Sequence, residues 1–177
     1  MSHQHSALGS QHAALNIPPA VAARLLFDVS QIDLRQIAVS RDEVGKLNPQ
    51  CGDMRQLDHV VWLNRDRSEA LGVKAVRPDE FWVSGHIPGR PLLPGVLMIE
   101  AGAQLCSILY KKKTGNLEFI GFIRCDGVAF RGQVVPGDTL YLLGKEVKIA
   151  PRRFTSNVQG VVDDRLVFEA TIAGMVV

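Results

Sequence analysis

Gly85-His86-Ile87-Pro88-Gly89-Arg90-Pro91-Leu92-Leu93-Pro94-Gly95-Val96-Leu97-Met98-Ile99-Glu100-Ala101-Gly102-Ala103-Gln104 changes character halfway. The first half reads as a loop. Pro88, Pro91 and Pro94 fix φ, while Gly85, Gly89 and Gly95 admit angles other residues avoid, a mix that specifies one backbone path. The second half, from Pro94 to about Tyr110, predicts a helix, with Pro94 in the first turn where a missing N–H costs nothing. Val96, Leu97, Met98, Ile99, Ala101, Ala103, Leu105, Cys106, Ile108 and Leu109 put apolar side chains on every face, so the helix should be buried on all sides. It is too short to span a bilayer and lies mid-chain, which favours a protein core. Glu100 sits in its middle, with Gln104 one turn later on the same face. A carboxylate there is expensive unless paired or held neutral. Two readings stand: a structural Glu bonded to backbone or to a partner helix, or a functional one.

Outward from the helix the chain is β-rich. Residues 57–63, with Val60, Val61, Trp62 and Leu63, and residues 71–77, with Val73, Ala75 and Val76, predict an antiparallel hairpin. Phe81 and Trp82 precede the loop as packing residues or as walls of an apolar pocket. Lys111, Lys112 and Lys113 with Gly115 end the helix well, and the three lysines have a second possible role in docking an acidic partner. Beyond them, residues 117–124 and 125–131 are strand-like pieces, and 139–149, 154–162 and 166–176 predict a three-strand meander. One apolar helix among about six strands implies an α+β fold, a curved antiparallel sheet wrapped around a long buried central helix. The open edge of such a sheet calls for dimerisation. Before the hairpin, residues 18–27 predict a short helix with proline at its start. Residues 28–47 mix apolar and charged positions with no clear period. Residues 1–16, which include His3, His5 and His12, read as a disordered leader.

Composition narrows the function. The chain has 177 residues, 46% of them hydrophobic, enough for one domain with a sizeable core. A net charge of +2 argues against nucleic acid as a partner. Cys51, Cys106 and Cys125 are odd in number and not spaced for a metal, so no metal site is expected and a reducing compartment fits. No basic-then-apolar leader and no long uncharged apolar run occur, so the reading is a soluble cytoplasmic protein without membrane insertion. Phosphate loops, dinucleotide fingerprints and nucleophile elbows are absent from the sequence.

His86 and Glu100 are the His–carboxylate pair with a structural reason to converge. One is on the proline-fixed loop, the other less than two turns into the helix. Histidine takes a proton near neutrality, and Glu in an apolar setting gives one. Between them lies the helix N-terminus, where the N–H of Gly95 or Val96 has no helical partner and can polarise a carbonyl. Base, acid and carbonyl polariser are the parts that remove a proton α to a carbonyl and expel a β-hydroxyl. His59, by contrast, reads as an ordinary strand residue.

The stretch from Gly85 to Ala101, followed by Ala103 and Gln104, resembles the signature of the β-hydroxyacyl-acyl-carrier-protein dehydratases of the FabZ type. Phe130-Arg131-Gly132-Gln133-Val134-Val135-Pro136-Gly137-Asp138 resembles that family's second block. The match covers residues 47–177 and leaves 1–46 as an N-terminal extension, partly disordered with a short helix. The resemblance implies a hot-dog fold and a homodimer, commonly assembled into a trimer of dimers, in which His86 works with Glu100 of the partner protomer. It implies a (3R)-hydroxyacyl chain on acyl carrier protein as substrate, a trans-2-enoyl product, and no cofactor. His86 would abstract the α proton, Glu100 would act on the leaving hydroxyl, and Gly95, with Val96, would hold the thioester carbonyl. Phe81, Trp82, Ile87, Leu92, Leu93 and Gln104 would line the substrate site, and Lys111, Lys112, Lys113 and Arg131 would meet the carrier. Two other functions stay open: an (R)-specific enoyl-CoA hydratase and a non-catalytic acyl-binding module. The chain departs from the pattern at Ile87, usually Phe, and at Gly102, usually a larger apolar residue. Glycine there costs about 1 kcal/mol of helix propensity and implies a close packing contact. Residues 48–53 also lack the His-Arg-Tyr-Pro run.

Overall fold

A computed structural model describes residues 14–163 and 165–177. The disordered leader expected for residues 1–16, with His3, His5 and His12, therefore falls largely outside the described residues. Six strands form one antiparallel sheet: β1 (His59–Leu63), β2 (Glu69–Ala75), β3 (Ile120–Phe130), β4 (Thr139–Ala150), β5 (Arg153–Val162) and β6 (Arg165–Val176). Their order across the sheet is β1-β2-β4-β5-β6-β3. The β1–β2 hairpin and the β4–β5–β6 meander match the sequence reading. The two pieces expected at 117–131 are one strand. β3 is irregular between Phe122 and Arg124 and between Asp126 and Ala129, and these bulges are what break its sequence pattern.

The helix α3 (Gly95–Thr114) lies in the sheet's concave face. Gly115, at φ 72°, closes it with its N–H on Lys111 O at 2.9 Å, a left-handed stop that glycine takes without strain. The packing is close enough to need small residues. A Cβ on Gly102 would lie 3.0 Å from Val158 Cγ2, which accounts for glycine in mid-helix. Leu105 in turn sits over Gly72 of β2 and Gly144 of β4. Burial pushes the Cys106 thiol up to about 12, so it is an inert core group. One expectation needs correcting. The helix is not buried on every side: Val96 is exposed, and Ile99, Glu100, Ala103 and Ser107 are only half-buried. At helical spacing these form one open stripe, and Glu100 lies on it.

The convex face is covered as well. Val29 and Ile32 pack on Val61, Leu71, Val73, Leu143, Val161 and Leu166. Gln159 of β5 accepts from Leu26 N (2.9 Å) and donates to Arg24 O (3.0 Å), and Lys145 donates to Leu26 O (3.1 Å). The expected short helix shrinks to α1 (Pro19–Ala22). A second helix, α2 (Arg41–Leu47), lies in the segment without a clear period. Ser40 caps it by accepting from Glu43 N at 3.3 Å, a Ser-x-x-Glu start that was present in the sequence. Val39 pairs with Val60, and both Val39 and Val44 belong to the same core as α3. The segment before Leu47 thus packs on the sheet through Val29 and Ile32 and joins the core through Val39 and Val44.

Candidate active site

The loop carrying His86 is fastened from below by a buried ion pair. Lys74, on β2, places Nζ 2.9 and 3.1 Å from the two oxygens of Glu80. Glu80 also accepts from Arg77 N (2.9 Å) and Trp82 Nε1 (3.0 Å). Burial pushes the Glu80 carboxyl up, but these donors outweigh it and hold the group below its ordinary value. Trp82, fixed through its indole, accepts at its carbonyl from Gly85 N (3.1 Å) and His86 N (2.7 Å). His86 and Leu92 then bond each other twice: Leu92 N donates to His86 O, and His86 Nδ1 donates to Leu92 O, both at 2.8 Å. A carbonyl only accepts, so Nδ1 carries a hydrogen, and in the neutral ring the lone pair is then on Nε2.

His86 opens into a cavity of about 380 Å³ lined by Leu92, Leu93, Pro94, Gly95, Val96, Met98, Phe130 and Val134. The helix N-terminus is part of its wall. The first helical N–H to find a partner is Leu97 N, on Pro94 O at 2.9 Å, so the N–H groups of Gly95 and Val96, which line the cavity, are without a partner among the described residues. A Cβ on Gly95 would lie 2.5 Å from the Phe130 ring, so glycine keeps this approach open.

Glu100 opens into a different cavity, of about 230 Å³, lined with Gln50, Ala103, Ser107, Phe119, Phe122, Phe154 and Ile172. Its Oε1 accepts from Gln104 Nε2 (2.8 Å) and Gln50 Nε2 (3.0 Å). Gln104 is fully committed: Nε2 also donates to Met54 O (2.7 Å), and Oε1 accepts from Gln56 N and Leu57 N, each at 3.0 Å. With both donors and both lone pairs used and 1% exposure, Gln104 stands behind Glu100 and lines neither cavity.

The other residues singled out from the sequence divide. Gly95, Val96, Leu92 and Leu93 surround His86. Phe81 and Ile87 are exposed beside the loop. Trp82 is a core residue tied to Glu80 and lines neither cavity. Lys111 is buried with Nζ on Leu47 O (2.6 Å) and presents no charge at the surface. Lys112 pairs with Glu43, Lys113 with Glu146 (2.6 Å), and Arg131 with Glu169. Sequence reasoning missed Lys74, Glu80 and Gln50. Lys74 had a signal, a lone charge in an apolar strand. Glu80 and Gln50 lie in segments that read as turn and loop. Among the described residues no cluster of His, Cys, Asp or Glu is arranged to hold a metal, and no helix is long and apolar enough to cross a membrane.

A family model described as a FabA-like domain matches residues 48–171. The 3-hydroxyacyl-[acyl-carrier-protein] dehydratase FabZ of Sinorhizobium medicae is 34% identical over 136 residues, 76% of this chain and 88% of that protein. The Brucella abortus protein of the same name is 37% identical over 122 residues, 68% of this chain and 77% of that protein. Among solved structures, the dehydratase heterocomplex ApeI:P from Xenorhabdus doucetiae matches with TM-score 0.64 at 14% identity, over 76% of this chain and 90% of that one. The TT0310 protein from Thermus thermophilus matches with TM-score 0.51 at 17% identity, over 67% and 90%. A curved antiparallel sheet around one central helix, with a family match over most of its length, makes this chain a member of the FabA-like family with the hot-dog fold.

Proposed function

We propose that the protein is a 3-hydroxyacyl-[acyl-carrier-protein] dehydratase of fatty acid biosynthesis, as the names of its curated relatives suggest. The observation that carries this reading is the pair of mounts: a histidine with Nε2 left as a base and a glutamate with one oxygen left free. His86 Nε2 takes the α proton of the (3R)-hydroxyacyl thioester. The developing enolate oxygen is held by the N–H groups of Gly95 and Val96 at the helix start. Glu100, protonated, gives its proton to the β-hydroxyl as the C–O bond breaks, water leaves and the trans-2-enoyl thioester forms. The proton on His86 then restores Glu100 through solvent.

The site is shared between protomers in this proposal. Within one chain His86 and Glu100 open into separate cavities. The outer edge β3 exposes Phe122, Ile123, Val128 and Phe130, a long apolar edge that a second copy would cover. A dimer is the working unit, trimers of dimers are the larger assembly, and the setting is the cytoplasm. Docking of the acidic carrier falls to the exposed β4–β5 turn. There Arg152, Arg153 and Lys148 flank Phe154 of the Glu100 cavity, whereas Lys111, Lys112, Lys113 and Arg131 are already engaged.

Mixing inactive partners tests this reading. His86→Ala and Glu100→Gln proteins are each assayed on a hydroxyacyl thioester, then unfolded together and reassembled. With sites shared in a two-fold dimer, about a quarter of the wild-type activity returns, because half the dimers are mixed and each has one intact site. No recovery would sink the shared site, and an active His86→Ala protein would sink the dehydratase.

A further inference from the structure

Gln50 reaches Glu100 from outside the helix that carries it. It lies after α2, in the segment where the chain lacks the His-Arg-Tyr-Pro run, and its side-chain N–H bonds Glu100 Oε1 at 3.0 Å. The other donor to that oxygen, Gln104, belongs to α3 and is locked by the 54–57 backbone. Gln50 is different. Its amide makes this one hydrogen bond, and its own Oε1 is buried with no donor among the described residues. A buried carbonyl left unpaired is unfavourable, so folding alone does not account for a glutamine here.

The two bonds have a consequence for the carboxyl. Oε1 accepts from two amides that can offer only hydrogens, so a proton on Glu100 is carried by Oε2. Among the described residues no group hydrogen-bonds Oε2, and it is not a buried unpaired atom, so it is open to the cavity that Glu100 shares with Gln50, Ala103 and Ser107. A single donor from the same helix leaves the carboxyl free to turn about its last torsion. A second donor, arriving from the 48–53 segment, stops that turn.

We infer that Gln50 is a positioning residue that fixes the Glu100 carboxyl by its N–H, so that the proton to be transferred faces the substrate cavity. The inference rests on the dehydratase reading above and adds to it which oxygen delivers the proton and what holds it there. Gln50 acts through Glu100 and not on the substrate, so its loss belongs in the chemical step and not in binding.

Three variants separate positioning from packing. Gln50→Met keeps length and volume without a donor, Gln50→Ala removes both, and Gln50→Glu is nearly isosteric but sets an acceptor and a like charge against Glu100. Steady-state dehydration of a hydroxyacyl thioester is measured for each, beside wild type and Glu100→Gln, with melting temperature as the check on folding. The expected result is kcat lowered about 10- to 100-fold in Met and Ala alike, lower still in Glu, with KM unchanged. Glu or Met at wild-type kcat with only Ala impaired would mean packing and overturn the inference. So would a rise in KM at constant kcat, which would mean substrate contact. If Gln50→Ala does not fold, the Met and Glu variants decide alone. Wild type without turnover, or Glu100→Gln with full turnover, would instead overturn the dehydratase reading.

Discussion

His86 and Glu100 are mounted by opposite means. His86 sits on an exposed loop, held by main-chain bonds to Trp82 and Leu92 and anchored through a buried Lys74–Glu80 ion pair. Glu100 sits on a packed helix whose backbone needs no anchor, and it is held by two side-chain amides. The contrast follows from what each group needs. The imidazole needs its tautomer fixed, which one carbonyl does. The carboxyl needs its free oxygen aimed, which takes donors from two elements. A loop without regular hydrogen bonds must be tied down by something strong. A buried pair does this at the risk that losing one partner strands the other charge.

The comparison can be broken first at the reacting groups. His86→Ala and Glu100→Gln should each lower kcat by about 10²–10⁴ with melting temperatures near wild type, because the loop keeps its main-chain bonds and the helix its packing. A folded His86→Ala protein with normal turnover would remove the base from the scheme. Next comes the anchor. Lys74→Met leaves Glu80 buried without its cation and should cost about 3–5 kcal/mol of stability by urea titration. Turnover should fall with it as the His86 loop loosens, while an equal loss at Glu100 has no route. Unchanged stability would show that the ion pair is not the anchor.

A third, smaller effect is pH-dependent. The folded Glu80 carboxyl lies below its ordinary value, so it binds its proton less readily than in the unfolded chain. Its stabilisation is complete above the unfolded glutamate value of about 4.3 and fades as pH falls through the lower folded value. Melting temperature should drop over that acid range in wild type and drop less in Glu80→Gln; parallel curves would count against the assignment. The smallest effect lies outside both mounts. Arg153→Glu should raise KM for a carrier-bound substrate a few-fold at low salt and lose its effect as salt screens the charge. An unchanged KM would place carrier docking elsewhere.

The helix, the hairpin, the meander and the two candidate acid–base residues are legible because each has a local signature: an apolar run behind Pro94, period-two strands, a histidine in a proline-fixed loop. The single bulged β3 is harder, since its irregularities interrupt the alternation that marks a strand. The segment before Leu47 hides its structure for a related reason. As far as Leu34 it lies on the sheet face opposite α3, and Val39 and Val44 join the core of α3, so its apolar residues follow two surfaces and no helical or strand period. Ser40 and Glu43 alone announce α2.

The support around the site is the least visible. Gln104 was expected at the substrate and stands behind Glu100, and Lys111 was expected at a partner and caps Leu47 O. Both side chains sit where the sequence put them, on α3; what they bond depends on the 47–57 segment, some fifty residues away. By itself the sequence determined the fold class and the pair of candidate acid–base residues, because periodicity and motif spacing are written within one element. Only the tertiary structure decided which nitrogen of His86 meets a carbonyl, which oxygen of Glu100 takes the two amide donors, and that the two residues open into separate cavities. Those are matters of hydrogen-bond partners brought together from distant elements, and no local pattern encodes them.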